Sequence, residues 1–341
     1  MKKTFGILII ICYSIFSCSK PTFSSDKKND ISEYGLKGNV KSVESELFNL
    51  IPEKDTFRIG EKINGISFDR NSQLQFNHLG NLTSTIEFLA DGKLSFEIEY
   101  IYDNKHRLIR RNGTDYYGKG SIYNYEFTYN EKDSIIEGVI IKDDFKRIHK
   151  MKRDNKSRIV KKEIIQSDSI LGTYTYVYDQ NGNLIRENDF KKNNILEESI
   201  ERTFDKNNLL QKEKITKYIG IDTITYQNLF FYNKNMDLIK SKMEMENDSI
   251  FTEINNKYFE NGNLKESQHV PRGSNHFVTM TQKFNENGNV IENSRKSNDE
   301  TTNDFWAFKY KYDSNNNWVE KIEFKNNQPL RIVKRTIEYY K

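Results

Sequence analysis

The feature that most constrains the fold of this chain is a short turn sequence that recurs at a nearly constant spacing. One copy, residues 178 to 187, reads YDQNGNLIRE: an aromatic residue, Asp or Asn, two polar residues, Gly, Asn and an aliphatic residue. We call the first residue of each copy its anchor. From the second copy onward the anchors are 24 to 28 residues apart, a period of about 26, which is the signature of a repeat architecture. The anchors are Tyr34, Phe76, Tyr102, Tyr129, Arg153, Tyr178, Phe204, Tyr232, Tyr258, Phe284 and Tyr312.

A second turn precedes each anchor by about ten residues, for example Asp91-Gly92 and Asp222-Thr223. Each repeat is therefore two strands of about eight residues joined by two tight turns, which leaves no room for a crossover helix. Composition agrees with strands, because the chain has 20 Tyr and 22 Phe but only two alanines, Ala90 and Ala307. The sequence predicts an all-β antiparallel meander.

The strand that enters each anchor alternates between two kinds of side chain. Residues 94 to 102 place aliphatic and aromatic residues on the anchor side and Ser95, Glu97 and Glu99 on the other. This period of two predicts a half-buried strand whose anchor side faces inward, and a slip of one residue would turn the aromatics outward. Three arginines break the pattern on the predicted inner side, and the sequence gives no reason for them: Arg147, Arg153 and Arg202.

The predicted architecture is a long, curled sheet of about ten to eleven two-strand repeats spanning residues 34–341, because the twist of so many strands accumulates. An irregular insertion, residues 50–73, interrupts the period and is either the best place for a specific contact or an ordinary long connection. An outer-membrane barrel is the competing architecture, but its lipid-facing side would have to be apolar throughout. Here one face is charged and the other has polar breaks.

The N-terminus has the pattern of an export signal. Lys2 and Lys3 precede an apolar run that ends in Ile-Phe-Ser-Cys, which predicts a signal peptide over residues 1–17. That ending resembles the lipobox of bacterial lipoproteins, which implies a lipid on Cys18, a polar tether over residues 18–33 and anchorage at the outer membrane, on its periplasmic or surface face. The alternative is an ordinary signal peptide with an incidental cysteine.

The repeats resemble a known family. YIYDNKHRLIRR, YVYDQNGNLIRE and YKYDSNNNWVEK resemble the YD repeats of the RHS family, whose tyrosine-aspartate hairpins build β spirals in secreted toxin shells and cell-surface proteins. YFENGNLKE is similar to repeats of the MORN-variant type, and YGLKGNVKSV resembles the start of Bacteroidetes lipoproteins that carry such repeats. The chain lacks the proline-rich Asp-Pro-x-Gly-Leu ending of RHS toxins, so the resemblance implies neither self-cleavage nor an enclosed toxin.

The sequence predicts no catalytic, metal or cofactor site. The five histidines occupy different places in the repeat, and the pair His269 and His276 across one turn has no evident third ligand. Turns such as residues 179–183 have calcium-loop oxygens but lack the distal glutamate, and the same residues suit an Asx turn. Asp-Ser/Thr-Ile sequences at 133–135, 168–170, 222–224 and 248–250 are either glycosylation sites, by their similarity to those of Bacteroidetes exported proteins, or plain turn material.

These patterns predict a non-enzymatic cell-envelope lipoprotein with an extended β-repeat scaffold or binding surface. A polysaccharide-binding surface lipoprotein is the alternative, because exposed Tyr and Trp could stack on sugar rings. The expected partners are the membrane, through the lipid on Cys18, and a protein or a polysaccharide. Nucleic acid is not expected, because basic and acidic residues are interspersed along the strands.

Overall fold

The computed structural model describes residues 29–54, 56–65, 69–116, 120–142, 145–245, 250–272 and 277–341. The predicted signal peptide, residues 1–17, and the predicted lipidation site Cys18 lie outside these residues, as does His276. Within the described ranges, no helix is long and apolar enough to cross a bilayer.

These residues form one helical turn, α1 (Asp30–Glu33), a 3-10 turn (Lys192–Asn194) and 23 strands. In chain order the strands are β1 (Val40–Pro52), β2 (Phe57–Lys62), β3 (Asn71–Phe76), β4 (Leu82–Phe88), β5 (Leu94–Tyr102), β6 (Leu108–Asp115), β7 (Ser121–Tyr129), β8 (Ile135–Lys142), β9 (Phe145–Arg153), β10 (Ile159–Gln166), β11 (Ser169–Tyr178), β12 (Leu184–Lys191), β13 (Ile195–Phe204), β14 (Leu210–Ile219), β15 (Asp222–Tyr232), β16 (Leu238–Met245), β17 (Ile250–Tyr258), β18 (Leu264–Pro271), β19 (Val278–Phe284), β20 (Val290–Ser297), β21 (Asn303–Tyr312), β22 (Trp318–Lys325) and β23 (Gln328–Tyr339).

From Phe76 onward the anchor turns share one design, except at Tyr258, which is followed by Phe259. The Asp or Asn after the anchor accepts two backbone N–H groups of its own turn; Asp103 Oδ1, for example, accepts from Lys105 and Arg107 at 2.9 Å each. The fourth residue after the anchor has a positive φ, 90° at Gly182 and 60° at Asn208. Gly and Asn, which tolerate the left-handed region best, predominate at this position, although His106, Ser157 and Met236 also occupy it. The ladder register then shifts by one residue beside the anchor, as a β-bulge.

The sheet closes on itself, so the predicted open, curled sheet of repeats is wrong. Strand β1 pairs antiparallel with β23, from Val40 opposite Tyr339 to Asn49 opposite Arg331, and with β3 on its other side. Every further pairing joins chain neighbours, so 22 of the 23 described strands form a closed antiparallel barrel and β2 pairs only with the end of β1. Accumulated twist brings the two edges together, and pairing them satisfies backbone groups that an open sheet leaves exposed.

The anchor side of the sheet faces the lumen. In β1, Val43 and Leu47 on that side are fully buried, whereas Glu44 between them is exposed. The other side bears cross-strand ion pairs, such as Arg186 with Glu201 at 2.8 Å. Neighbouring pairs of the same kind are Lys257–Glu266, Lys283–Glu292 and Lys311–Glu320. These ion pairs interrupt the apolar side chains of the outer face along the described strands.

Most of the buried hydrophobic residues of the described chain lie at the seam where β1 meets β3 and β23, and Ile215 on β14 is an exception. Ile31 of the N-terminal turn, Val40, Val43, Phe76 and Leu82 form one buried cluster there. Elsewhere most inner-face side chains are only half-buried. A 22-stranded barrel is too wide for its own side chains to fill, so most of the inner face contacts water.

The insertion, residues 50–73, packs against this seam. Asn71 is buried, donates to the Ile63 carbonyl at 2.7 Å and accepts from the Leu47 N–H at 2.8 Å. Asp69 pairs with Lys321 on β22 at 2.5 Å. The described part of the insertion thus lines the seam with paired groups.

Candidate ligand site on the inner face

The three arginines that break the aromatic pattern have three different environments. Arg153 replaces an anchor tyrosine: its Nε donates to the Ile135 carbonyl at 2.9 Å and its Nη1 to the Ser157 carbonyl at 2.7 Å. In the neighbouring repeat the Tyr178 hydroxyl donates to the equivalent carbonyl, that of Ile159, at 2.9 Å. Arg153 is therefore part of the framework.

Arg202, on β13, lies between two carboxylates. Its guanidinium is 2.8 Å from Glu213 and 3.4 Å from Glu187, and only 16% of its side chain is exposed. The two carboxylates neutralise its charge and satisfy its N–H groups, so Arg202 has little left to offer a ligand.

Arg147, on β9, has no such partner, and neither does Arg111 on β6. Neither arginine pairs with a carboxylate of the described chain, and the one hydrogen bond that Arg147 donates, to Gln166, is long at 3.4 Å. The Nε atoms of both are buried without an acceptor. A guanidinium has five N–H donors, so most N–H groups of these two arginines have no acceptor among the described residues at the lumen wall.

The sheet register places the two arginines in one row. Arg111 is opposite Tyr125 on β7, Tyr125 is opposite Ile140 on β8, and Ile140 is opposite Arg147. Strands lie about 4.8 Å apart, so about 14 Å separates the two backbone positions. Each guanidinium lies over an aromatic ring, Arg111 at 4.4 Å from the Tyr125 centroid and Arg147 at 4.9 Å from that of Phe145. Stacking of this kind fixes a guanidinium while leaving its N–H edge available.

Two more groups lie beside the row, on β9 and β10: His149 is two residues along β9 from Arg147, and Lys162 is opposite Met151, four residues along β9 from Arg147. Lys162 lies 5.2 Å from the Tyr174 ring and has no carboxylate partner among the described residues. The Nε2 atom of His149 is buried without a hydrogen bond. Burial lowers the pKa of His149, and the nearby charges of Lys162 and Arg147 lower it further, so the imidazole is neutral at pH 7. We call Arg111, Arg147, His149 and Lys162 with their rings the cationic sector.

Gly113 makes room for the ring at the edge of the cationic sector. Its register partner is Tyr123, and a Cβ at Gly113 would lie 2.3 Å from the Tyr123 ring. The ring therefore lies flat across β6, stacked with Phe96 at 6.0 Å. Burial and the Asp115 carboxylate raise the pKa of Tyr123 to about 12, so its hydroxyl stays a neutral donor.

The cationic sector ends at acidic strands. Lys162 is opposite Tyr174, Tyr174 is opposite Asp189, and Asp189 is opposite Glu198. Burial raises the pKa of Asp189, and Glu198 and Glu187 contribute to the rise. The inner face thus changes sign between β10 and β12.

Other polar sites of the described chain differ from the cationic sector. At the seam, Arg331 pairs with Glu323 at 2.6 Å, whereas Arg335 stacks on Trp318 with its Nε buried and without an acceptor. His269 is half-buried and bonds to Thr252 at 2.7 Å, and no group of three metal-binding side chains occurs in the described ranges. A cleft of 700 Å³ lies at the anchor turns of β13 to β16, lined partly by Phe231 and Met236.

None of the predicted site features supplies the cationic sector. Cys18 lies outside the described residues, and the insertion packs at the seam. Sequence reasoning marked Arg147 as an exception but missed Arg111 and Lys162. We call the strand that follows each anchor turn the return strand. Because of the bulge at the anchor, the inward and outward positions along the return strand shift by one residue, so the ninth residue after an anchor points inward. That rule, applied to Tyr102 and Arg153, finds both.

No family model and no curated protein matches this sequence. Similar solved structures include TcdB2-TccC3, with 12% identity and a TM-score of 0.33 over 80% of this chain, which spans 19% of that one. A porin-like protein from Bacteroides uniformis ATCC 8492 has 9% identity and a TM-score of 0.29, with 89% of this chain and 98% of that chain covered. One from Bacteroides vulgatus ATCC 8482 has 10% identity and a TM-score of 0.27, with 60% and 98% covered. Similarities of this size place the chain in no family, and the resemblance to RHS repeats stays at the level of β-hairpin motifs.

Proposed function

We propose that this chain is a non-enzymatic binding protein of the cell envelope whose barrel lumen holds an anionic ligand. The observation that carries the proposal is the pair Arg111 and Arg147, two stacked guanidiniums for which the described residues supply no carboxylate partner. Within the same barrel, Arg202 has two carboxylates. Glu187 and Glu213 neutralise Arg202, and a ligand with negative charges would neutralise the two unpaired arginines in the same way.

The chemistry of the cationic sector suits binding better than catalysis. Arginine stays protonated at all ordinary pH values, so it attracts and orients an anion but exchanges no proton. His149, the one group there that titrates near neutrality, is held neutral by burial. Aromatic rings beside permanent charges make a recognition surface.

The envelope location rests on the N-terminal sequence and on the outer face. The signal pattern of residues 1–17 directs export, and a lipid on Cys18 holds the protein at the outer membrane. The charged outer face keeps the barrel in water, so the lipid is the attachment. Asn29, at the start of the described chain, donates to the Leu79 carbonyl in the anchor turn after Phe76.

Metabolic labelling with a fatty acid tests the anchor. The wild-type protein should incorporate label and sediment with membranes, whereas Cys18→Ala should do neither. Incorporation of label into the Cys18→Ala variant, or an unlabelled wild type, contradicts lipidation at this residue without affecting the lumen site.

Titration with pyrenetetrasulfonate, a fluorescent polyanion, tests the lumen site. Binding measured by fluorescence anisotropy should weaken by roughly tenfold to a hundredfold for each guanidinium removed in Arg111→Gln and Arg147→Gln, because each lost charge-assisted contact is worth roughly 1.5–3 kcal/mol. The matched control is Arg110→Gln with Lys146→Gln, which removes the same charge from adjacent outer-face positions. Equal loss in both variants would mean that the probe senses only net charge, and the lumen site would then be wrong.

A further inference from the structure

We infer that the ligand of the cationic sector is a linear polysaccharide whose sugars carry carboxylates, an inference that rests on the proposed function. Four features of the sector lead to this class: the type of cation, the rings beside each cation, the spacing along the row and the acidic strands that end it.

The cations that line the row are mainly guanidiniums. A guanidinium presents a planar fork that matches the two oxygens of a carboxylate, and it is less strongly hydrated than an ammonium. The rings hold Arg111 and Arg147 from one side and their Nε atoms are buried, which leaves the Nη1–Nη2 edge of each guanidinium for a ligand. A planar carboxylate fits this edge in a bidentate arrangement.

Aromatic rings accompany the charges along the row. Tyr125, Phe145 and Tyr174 are each half-buried, so part of each ring remains open to the lumen, and Tyr123 meets Tyr125 edge to face at 6.1 Å. Ring faces pack against the C–H face of a pyranose, and tyrosine hydroxyls bond to its hydroxyl groups. A small inorganic anion would use the charges but leave these rings without a role.

The spacing requires a long ligand with widely separated charges. The positions of Arg111 and Arg147 are about 14 Å apart, and Lys162 lies one strand further and four residues along from Arg147, roughly 13 Å in the strand direction, so one sugar cannot reach all three. Double-stranded nucleic acid has a charge about every 1.7 Å, far denser than three cations over this distance. A sugar chain bearing one carboxylate per residue has charges sparse enough to match.

The acidic strands limit where the chain can lie. Asp189 and Glu198 follow Lys162 and Tyr174 in the register, and Glu187 lies two residues along β12 from Asp189. A polyanion that crossed from β10 to β12 would meet like charges, so the bound segment is confined to β6 through β10. The site should therefore accept a short segment of a longer chain.

Calorimetric titration of the purified protein with polygalacturonate fragments tests the inference. The matched neutral ligand is fully methyl-esterified polygalacturonate, which keeps the sugars and removes the charges, and inorganic polyphosphate is the densely charged comparison. Polygalacturonate should bind, esterification should weaken binding at least about tenfold, and galacturonic acid monomer should bind far more weakly than fragments. Arg111→Gln with Arg147→Gln should lose the binding, whereas Arg110→Gln with Lys146→Gln should keep it.

The outcomes separate this inference from the proposed function. If pyrenetetrasulfonate binds through Arg111 and Arg147 but polygalacturonate does not, the carboxylated polysaccharide is wrong and the anion-binding lumen stands. If polyphosphate binds more tightly than polygalacturonate through the same arginines, the ligand class is again overturned. If no anion binds, both proposals fail. Phe145→Leu adds a check, because loss of the ring should weaken polygalacturonate more than pyrenetetrasulfonate, and equal weakening would argue against sugar stacking.

Discussion

At the scale of single residues, the anchor does two jobs: it supplies inner-face surface and closes a hydrogen bond to the preceding repeat. The hydroxyls of Tyr102, Tyr129 and Tyr178 donate to the carbonyls of the first return-strand residue one repeat earlier, at 2.7, 2.7 and 2.9 Å. Tyr232 and Tyr258 do the same at 2.9 and 2.8 Å. This ladder explains why tyrosine outnumbers phenylalanine at the anchors and why Arg153 can replace it.

Substitutions at Arg153 test whether this arginine replaces the anchor tyrosine as a hydrogen-bond donor. Arg153→Leu leaves the Ile135 and Ser157 carbonyls without their donors and should lower the free energy of unfolding by roughly 1–3 kcal/mol. Arg153→Tyr restores the repeat's usual donor and should recover most of that loss. Denaturant unfolding measures both, and equal damage from the two substitutions would show that the ladder is incidental.

Tyr178→Phe removes only the hydroxyl that reaches Ile159 and should cost about 1 kcal/mol in the same measurement. Tyr218→Phe is the control, because Tyr218 is exposed and its hydroxyl has no recorded partner in the described chain. A Tyr178→Phe variant as stable as this control would contradict the ladder.

At the scale of elements, the anchor turn requires a left-handed backbone at the fourth residue after the anchor, but it does not require one particular residue type there. Glycine holds that position at Gly182, Gly262 and Gly288, but Met236 holds it in β15–β16 with a φ of 66°. A methionine there carries steric strain that glycine lacks.

Met236→Gly should therefore raise the free energy of unfolding by about 0.5–1 kcal/mol, the relief of strain less the extra backbone entropy of glycine. Gly182→Met should lower it by a comparable amount. Thermal and denaturant unfolding measure both variants, and a loss of stability in Met236→Gly would mean that side-chain packing at this turn outweighs strain.

The same turns give the barrel an acid sensitivity. Hydrogen bonds lower the pKa of the turn carboxyls: from the Arg107 backbone at Asp103, the Arg158 guanidinium at Asp154 and the Asn183 amide at Asp179. A lowered pKa gives stability that is complete above the unfolded-state value and is lost as the pH falls through the folded-state value.

Replacing Asp103, Asp154 and Asp179 by asparagine should reduce the loss of unfolding free energy between about pH 5 and pH 2. The amide can keep the turn, because Asn130 already accepts the same two backbone bonds at 3.0 Å each. Melting curves across this pH range are the measurement. An unchanged pH slope would place the acid sensitivity elsewhere in the molecule.

At the scale of the whole molecule, closure depends on the parity of the strand count. β1 and β23 meet antiparallel because an even number of strands separates their directions. Deleting residues 178–203 removes one full period, leaves an even count and replaces Tyr178 by Phe204, so the barrel should still close and melt cooperatively.

Deleting residues 178–190 removes about half a period and reverses every later strand. β1 and β23 would then run parallel, and the seam could not form its ladder. This variant should lose cooperative melting and gain protease sensitivity. Equal behaviour of the two deletions would argue that closure contributes little to stability.

The sequence by itself determined the strands, the turns and the facing of the strands that enter each anchor. These are local consequences of backbone geometry: Gly182 permits a left-handed turn, Asp179 bonds within it, and alternation assigns residues 94 to 102 to two faces. The facing of residues on the return strands was also predictable from the sequence, because the single bulge at each anchor turns Arg111 and Lys162 inward.

Only the tertiary structure decided closure and the site. Whether β1 meets β23 depends on twist summed over 22 strands, a quantity that no window of sequence contains. Whether an inward arginine is framework, neutralised or available depends on neighbours from other repeats: Ile135 at Arg153, Glu187 and Glu213 at Arg202, and a bare ring at Arg147. The same residue type in the same pattern thus has three roles, because partners across the sheet, and not the local sequence, set the charge that remains.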